Sequence, residues 1–217
     1  MSRHNRLSPV LLASTAALLS GIGAAVAADL VLVDGGTARS VVVTADKPSP
    51  LATYAAGELV AHVEKATGER LEVVGESDAP AGATRVYIGD TQAARRAGLD
   101  PDGLPGETYR IMALDGNLYI LGREDGQELF AEGDRQNAIT RDTPRGTFYG
   151  VCEFLDRFLG VRWLWPGELG TYVPRKSTLT VDADLDVTKG PAFAQRRYRI
   201  GRITSTMAAG QYPSDCV

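Results

Sequence analysis

The residues of this chain that can carry chemistry are few, and their spacing excludes more than it offers. His62 is the one histidine beyond residue 27, so a histidine metal pair or a Ser- or Cys-histidine catalytic arrangement has nothing to work with. It is expected to be a partly exposed helix residue. Cys152 and Cys216 are too few for a disulfide scaffold, and Cys152 fits an apolar core position better than a bridge to Cys216. Glu124, Asp125, Glu132 and Asp134 fall in a polar loop and Glu168 in a turn. The four loop residues read as surface charge, and none of the five makes a good general acid. The run Asp182-Ala183-Asp184-Leu185-Asp186 invites a calcium reading. An EF-hand loop, however, wants Gly at its sixth position and Glu at its twelfth, where Val187 and Phe193 stand. A solvated linker fits that run better. What remains is binding chemistry. Trp163 and Trp165 have ring faces that stack on sugars. Two indoles alternating with Leu164 on a short strand share one face, and such a face is more often a core or a domain interface than an open platform. Taken by itself, Arg196 reads as a solvated arginine at a strand edge. No catalytic residue, no metal site and no cofactor are expected.

These residues depend on elements the pattern lays out clearly. The organising stretch is Gly146 to Pro174. Phe148, Val151, Cys152, Leu155, Phe158 and Leu159 fall on one stripe of a helix, with Glu153, Asp156 and Arg157 facing away. Gly160 supplies a left-handed stop, and Val161 to Trp165 reads as a strand closed by Pro166 and Gly167. Earlier, Asp29 to Val33 and Arg39 to Ala45 read as strands around the turn Asp34-Gly35-Gly36. Ser49 then offers an N-cap with Pro50 at the first helical position. Leu51, Ala55, Leu59 and Val63 recur at steps of four until Gly68. Leu71 to Val74 and Arg85 to Gly89 are further strands, Thr91 to Leu99 a short helix, and Glu107 to Ala113 with Leu118 to Gly122 a hairpin about Asp115-Gly116-Asn117. Arg123 to Arg145 is a long polar loop, and Ser177 to Val181 a last strand. The order predicts an α+β fold: a mixed, largely antiparallel sheet of five or six strands with two main helices packed on one face.

Composition sets the outer bounds. Arg3, His4 and Arg6 precede an apolar run from Val10 to Leu19, and Ala25-Val26-Ala27 ends in small residues, which is the pattern of a secretory signal peptide over 1–27. Ser14, Thr15, Ser20, Gly21 and Gly23 interrupt that run, which argues against a membrane anchor. Without Arg3 and Arg6, the 23 basic residues against 27 acidic ones leave a formal charge of −6, which argues against a nucleic-acid partner. A secreted or periplasmic protein with no membrane association after cleavage is expected. Lys189-Gly190-Pro191 reads as a domain boundary, and the stop at Val217 without a capping element as a truncation.

The same residues carry a family likeness. The series includes a helix around Ala56-Gly57-Glu58-Leu59 ending in Thr67-Gly68, a strand ending in Ile88-Gly89, and the hairpin. It closes with Gly146-Thr147-Phe148-Tyr149-Gly150, Phe154-Leu155 and Gly160-Val161-Arg162-Trp163. The whole resembles the N-terminal α/β domain that precedes the catalytic barrel in α-glucuronidases of glycoside hydrolase family 67. A related domain precedes the barrel in family 20 hexosaminidases. Pro191-Ala192-Phe193-Ala194-Gln195-Arg196 is similar to the P-x-F-x-x-R segment opening the family 20 barrel, where the residue at the place of Arg196 holds sugar hydroxyls. The Asp and Arg-His that follow there are missing from Tyr198-Arg199-Ile200-Gly201-Arg202, which weakens an N-acetylhexosamine assignment. The resemblance implies a signal peptide (1–27), a non-catalytic accessory domain (28–190) and the first residues of a barrel (191–217). The substrate would be a carbohydrate bound mainly by that barrel. A carbohydrate-binding or interaction module without hydrolase activity is the alternative.

Overall fold

The computed structural model describes residues 28–124, 144–165 and 167–193. The predicted signal peptide, Arg196 and Cys216 lie outside them, as do Asp125, Glu132 and Asp134. The chain runs β1 (Leu30–Asp34), β2 (Thr37–Ala38), β3 (Ser40–Thr44), α1 (Pro50–Thr67), β4 (Val73–Gly75), β5 (Thr84–Ile88) and α2 (Gln92–Arg96). It continues through β6 (Tyr109–Leu114), β7 (Asn117–Gly122), α3 (Gly146–Phe154), β8 (Arg162–Trp163), β9 (Thr171–Tyr172), β10 (Leu179–Val181) and β11 (Asp186–Lys189).

The α+β class holds. A six-stranded sheet has the order β11-β6-β7-β5-β3-β4, a three-stranded sheet the order β10-β1-β2, and β8 pairs with β9. Five of the eight strand pairs are antiparallel; the three parallel ones, β5 with β7, β3 with β5 and β3 with β4, run from the middle of the large sheet to its β4 edge. Parallel strands covered on both faces read as continuous apolar runs, and Ser40–Thr44 is buried throughout. Alternation then divides the side chains. Val42, Val86, Ile88, Leu118 and Ile120 face α1 and α3. Val41, Val43, Tyr87, Tyr119 and Leu121 face Ala94 of α2 and Leu99. Leu30, Leu32, Val33, Leu179 and Val181 bring the small sheet into the core beneath the main helices.

The caps of α1 work as the sequence predicts. Ser49 Oγ accepts from the Ala52 N–H at 2.9 Å, Pro50 opens the helix, and Gly68 at φ +81° closes it, its N–H donating to the Glu64 carbonyl at 2.8 Å. Leu51, Ala55, Leu59 and Val63 are all buried. The hairpin turn is equally direct, with Asp115 and Gly116 both at positive φ, 50° and 74°. Among the described residues no helix is long and apolar enough to cross a membrane.

Four expectations change. The second opening strand is found as Ser40–Thr44 but joins the large sheet, and the hairpin about Gly35-Gly36 is closed instead by Thr37 and Ala38, which pair back onto β1. The helix of the organising stretch widens after Phe154 into a π-helical turn over Leu155–Leu159. Phe154, the last residue before that turn, is fully buried on the stripe of Thr147, Gly150, Val151 and Leu155, while Phe148, Cys152 and Phe158 are only partly covered. The strand expected over 161–165 is two residues long. The stretch after Val181, expected as a solvated linker, instead buries Leu185 and adds β11 to the edge of β6, with Arg110 donating to both oxygens of Asp186 at 2.9 and 2.8 Å.

Candidate functional site

Two concavities lie on this framework. The first, about 300 Å³, opens at the carboxyl ends of the parallel strands, where open α/β sheets usually place ligands. Its central side chain is Glu124, just past β7. Ser49 Oγ, which caps α1, donates to one carboxylate oxygen, and Thr147 Oγ1, in the first turn of α3, donates to the other. Thr147 Oγ1 also accepts from the Gly122 N–H at 3.0 Å. One carboxylate therefore spans the positive ends of two helix dipoles and holds both helices to the strand end. Gly89 makes room for it, since a Cβ there would stand 2.7 Å from the Glu124 oxygen. This corrects the reading of Glu124 as surface charge.

The backbone beneath is packed to its limit. A Cβ on Gly122 would fall 2.4 Å from the Gly146 carbonyl carbon, and one on Gly146 would fall 2.2 Å from the Thr108 oxygen. Gly150, one turn on, lets α3 rest on Ile120 and Tyr109.

The second concavity is an open groove of about 500 Å³ lined by Glu107, Tyr109, Tyr149, Cys152, Glu153, Asp156, Trp163, Gly190 and Pro191. Tyr149, Cys152, Glu153 and Asp156 stand at helical steps of three, one and three, which is the edge of α3 and its π-turn. Glu107 and Tyr109 come from the entry to β6, two residues apart and hence on one side of the strand. The Tyr149 hydroxyl lies 3.4 Å from Glu107 Oε1. Lys189 donates to Glu153, and Arg162 pairs with Asp156.

The indole of Trp163 is held edge-on by His62, ring centres 5.6 Å apart. His62, expected to be partly exposed, is only 6% exposed; its Nδ1–H donates to the Glu58 carbonyl at 2.9 Å, so the ring is fixed from behind. Trp163 itself is 44% exposed, which rules it out as a core residue of this domain.

The titrating groups in the groove favour binding over nucleophilic chemistry. Burial, with the charge of Glu58 as a lesser cause, pushes the Cys152 thiol up to about 12, so it remains a protonated, unreactive thiol near neutrality. Burial, followed by the charge and hydrogen bond of Glu153, pushes the Tyr109 phenol up to about 12, so it keeps its proton as a donor. Asp186, behind the groove on β11, is held below the usual carboxylate range by the hydrogen bond from Arg110.

Of the three residues expected to bind substrate, the structure places Trp163 in the groove and Trp165 outside it. Trp165 is 75% exposed, with its backbone and Cβ packed over Gly170, where any side chain would collide. Arg196 lies outside the described residues. Among the described residues no three His, Cys, Asp or Glu side chains are grouped to hold a metal ion. The sequence reading missed Glu107, Tyr109, Tyr149, Glu153 and Asp156 as a set. The signal was present in the helical spacing of 149, 152, 153 and 156, a polar edge running beside the apolar stripe.

No family model matches the chain, and no curated protein matches it. Solved structures do. The chain is similar to part of a family GH115 4-O-methyl-α-glucuronidase with specificity for decorated arabinogalactans, at TM-score 0.50 and 17% identity, over 76% of this chain and 19% of that one. A GH138 enzyme targeting pectin rhamnogalacturonan II aligns at TM-score 0.31 and 16% identity, over 54% of this chain and 10% of that one, a likeness too slight to carry weight. The chain thus spans less than a fifth of the length of the first of these enzymes. The protein has a fold that occurs as one part of a glycoside hydrolase.

Proposed function

We propose that this chain is the non-catalytic N-terminal domain of a secreted glycoside hydrolase acting on polysaccharide or oligosaccharide, α-glucuronidase-like in kind. The observation that carries this reading is the fold itself: a domain-sized piece, about a fifth of a much longer glucuronidase, matched over three quarters of the present chain. Residues 1–27 would direct export, 28–190 form the accessory domain, and 191–217 begin the barrel that brings the catalytic carboxylates. The likeness to the family 67 and 20 domains, with Arg196 holding sugar hydroxyls, belongs to this proposal.

A second observation supports it. Leu164, Trp165, Leu169 and Tyr172 are all exposed at the β8–β9 corner, Leu164 by 76%. Apolar side chains gathered at one corner suit a surface covered by a neighbouring domain. The half-exposed Trp163 in its polar groove favours the second reading, a carbohydrate-binding or interaction module without hydrolase activity.

The test is an assay of residues 28–217 on chromogenic glycosides and on glucuronate-decorated arabinogalactan, beside a product extended by the reading frame beyond Val217. The extended product is expected to release sugar and the shorter one none. Turnover by the shorter one, or none by the longer, overturns the proposal.

A further inference from the structure

We infer that the β8–β9 ribbon is a docking tongue, a short hairpin whose apolar tip is received in a cleft of the domain that follows it in the same polypeptide. This names the surface through which the hydrolase reading joins its two parts. It rests on that reading for the existence of a following domain and not for that domain's activity.

The exposed apolar surface is concentrated on this one element. Of the eight large apolar side chains exposed among the described residues, five are Trp163, Leu164, Trp165, Leu169 and Tyr172. The register decides what kind of partner suits them. Arg162 pairs with Tyr172 and Trp163 with Thr171, and successive strand residues alternate between faces. Trp163 therefore stands on one face of the ribbon, and Leu164 and Tyr172 on the other. Trp165 and the fully exposed Leu169 carry the apolar surface around the tip. A flat neighbour would cover one of these faces and leave the other in water. A concave neighbour closes over both and removes a patch that soluble proteins seldom leave gathered in one place.

The ribbon also keeps its shape unaided. Two-stranded hairpins are marginal by themselves, and this one is pinned at both ends. At the tip, the Leu164 N–H donates to the Gly170 carbonyl at 2.8 Å, and the Gly170 N–H and Thr171 Oγ1 both donate to the Gly167 carbonyl at 3.1 Å. A Cβ on Gly170 would stand 1.9 Å from the Trp165 oxygen, so the strands close here on a bare backbone. At the base, the edge of Trp163 meets the buried His62, and Arg162 pairs with Asp156. Docking a preformed tip costs little conformational freedom.

The path of the chain chooses the occupant. Gly190 and Pro191 line the same groove as Trp163, so the polypeptide leaves the domain beside the base of the ribbon, and Phe193, two residues on, is exposed. A domain tethered there meets the tip at an effective concentration on the order of millimolar, whereas a second copy or a separate protein must reach it by diffusion.

Hydroxyl-radical footprinting read by mass spectrometry reports each side chain in a product of any size. In residues 28–217, Trp165 and Tyr172 are expected to oxidise freely. In the product extended by the reading frame beyond Val217, both should be protected ten-fold or more. Leu169→Asp should leave the urea midpoint of the shorter chain unchanged, since that side chain is fully exposed, and should reduce the protection in the extended product at least three-fold. Trp165 and Tyr172 that stay open after extension, protection of Tyr172 alone, protection indifferent to Leu169→Asp, or a reading frame that stops at Val217 each overturn the inference. Two other occupants would show themselves in the shorter chain. Protection that grows with its concentration, with sedimentation at twice the monomer mass, assigns the tip to a second copy, and protection on adding arabinogalactan assigns it to a glycan; either result overturns the inference. The two proposals fail separately. An extended product that shields the ribbon but releases no sugar refutes the hydrolase reading alone, and one that releases sugar with the ribbon open refutes this one alone.

Discussion

The two concavities are built from the same kinds of residue and put them to opposite uses. At the strand ends, Glu124 receives hydroxyl protons from Ser49 and Thr147 and ties α1 and α3 to β7, so its carboxylate is part of the scaffold. In the groove, Glu107, Glu153 and Asp156 line an open space beside a half-exposed indole, and the groups they bond come from the rim. Position in the fold makes the first crevice look like the active site, since carboxyl ends of parallel strands commonly bind ligands. Its helix N-termini, however, already have their anion. Place in the fold alone therefore does not mark a site.

That contrast breaks most severely if the crevice backbone tolerates change. Gly122→Ala puts a methyl group 2.4 Å from the Gly146 carbonyl carbon and 2.7 Å from the Thr108 oxygen, with backbone on both sides and nothing flexible to yield. A loss of about 3 kcal/mol or more in urea unfolding is expected, enough to compromise folding of the whole domain. A variant as stable as the parent would mean that α3 and β7 are not interlocked there.

The next effect separates the carboxylates themselves. Glu124→Ala removes the shared acceptor of two capping hydroxyls and should cost about 2–3 kcal/mol, a fall in Tm of about 5–10 °C. Glu107→Gln, on the groove wall, should cost less than about 1 kcal/mol. Equal costs would erase the distinction between scaffold and site.

How much of this was legible in the sequence depends on the range of the signal. The α1 caps, Ser49, Pro50 and Gly68, are local chemistry and were read correctly, as was the Asp115-Gly116 turn. Phe154 is not expected in the core because its stripe runs through Thr147 and Gly150, whose types do not mark a buried face. Strand β11 was missed because Asp182 and Asp184 look solvated, and only Arg110, distant in sequence, receives Asp186. Glu124 looks like surface charge for the same reason: Ser49 is 75 residues away and Thr147 is 23. Trp163 is a subtler case. Its type was noticed, but its backing by His62 required α1 and β8 to meet in three dimensions.

The mildest effect tests the groove's dry floor rather than its rim. Cys152 and Tyr109 both titrate near 12 in the folded protein, above their ordinary values of 9.0 and 10.0, because burial disfavours their charged forms. The native state therefore holds these protons while the unfolded chain gives them up. Below about pH 9 neither state has released them and the contribution is complete; as pH rises from about 9 towards 12 the unfolded state ionises first and stability falls. By pH 10 the thiol alone should account for about 1 kcal/mol of that loss. Urea midpoints measured from pH 7 to 11 should slope downward above pH 9, and Cys152→Ala should flatten the first part of the slope. A midpoint that stays level to pH 11 would mean that water reaches these groups.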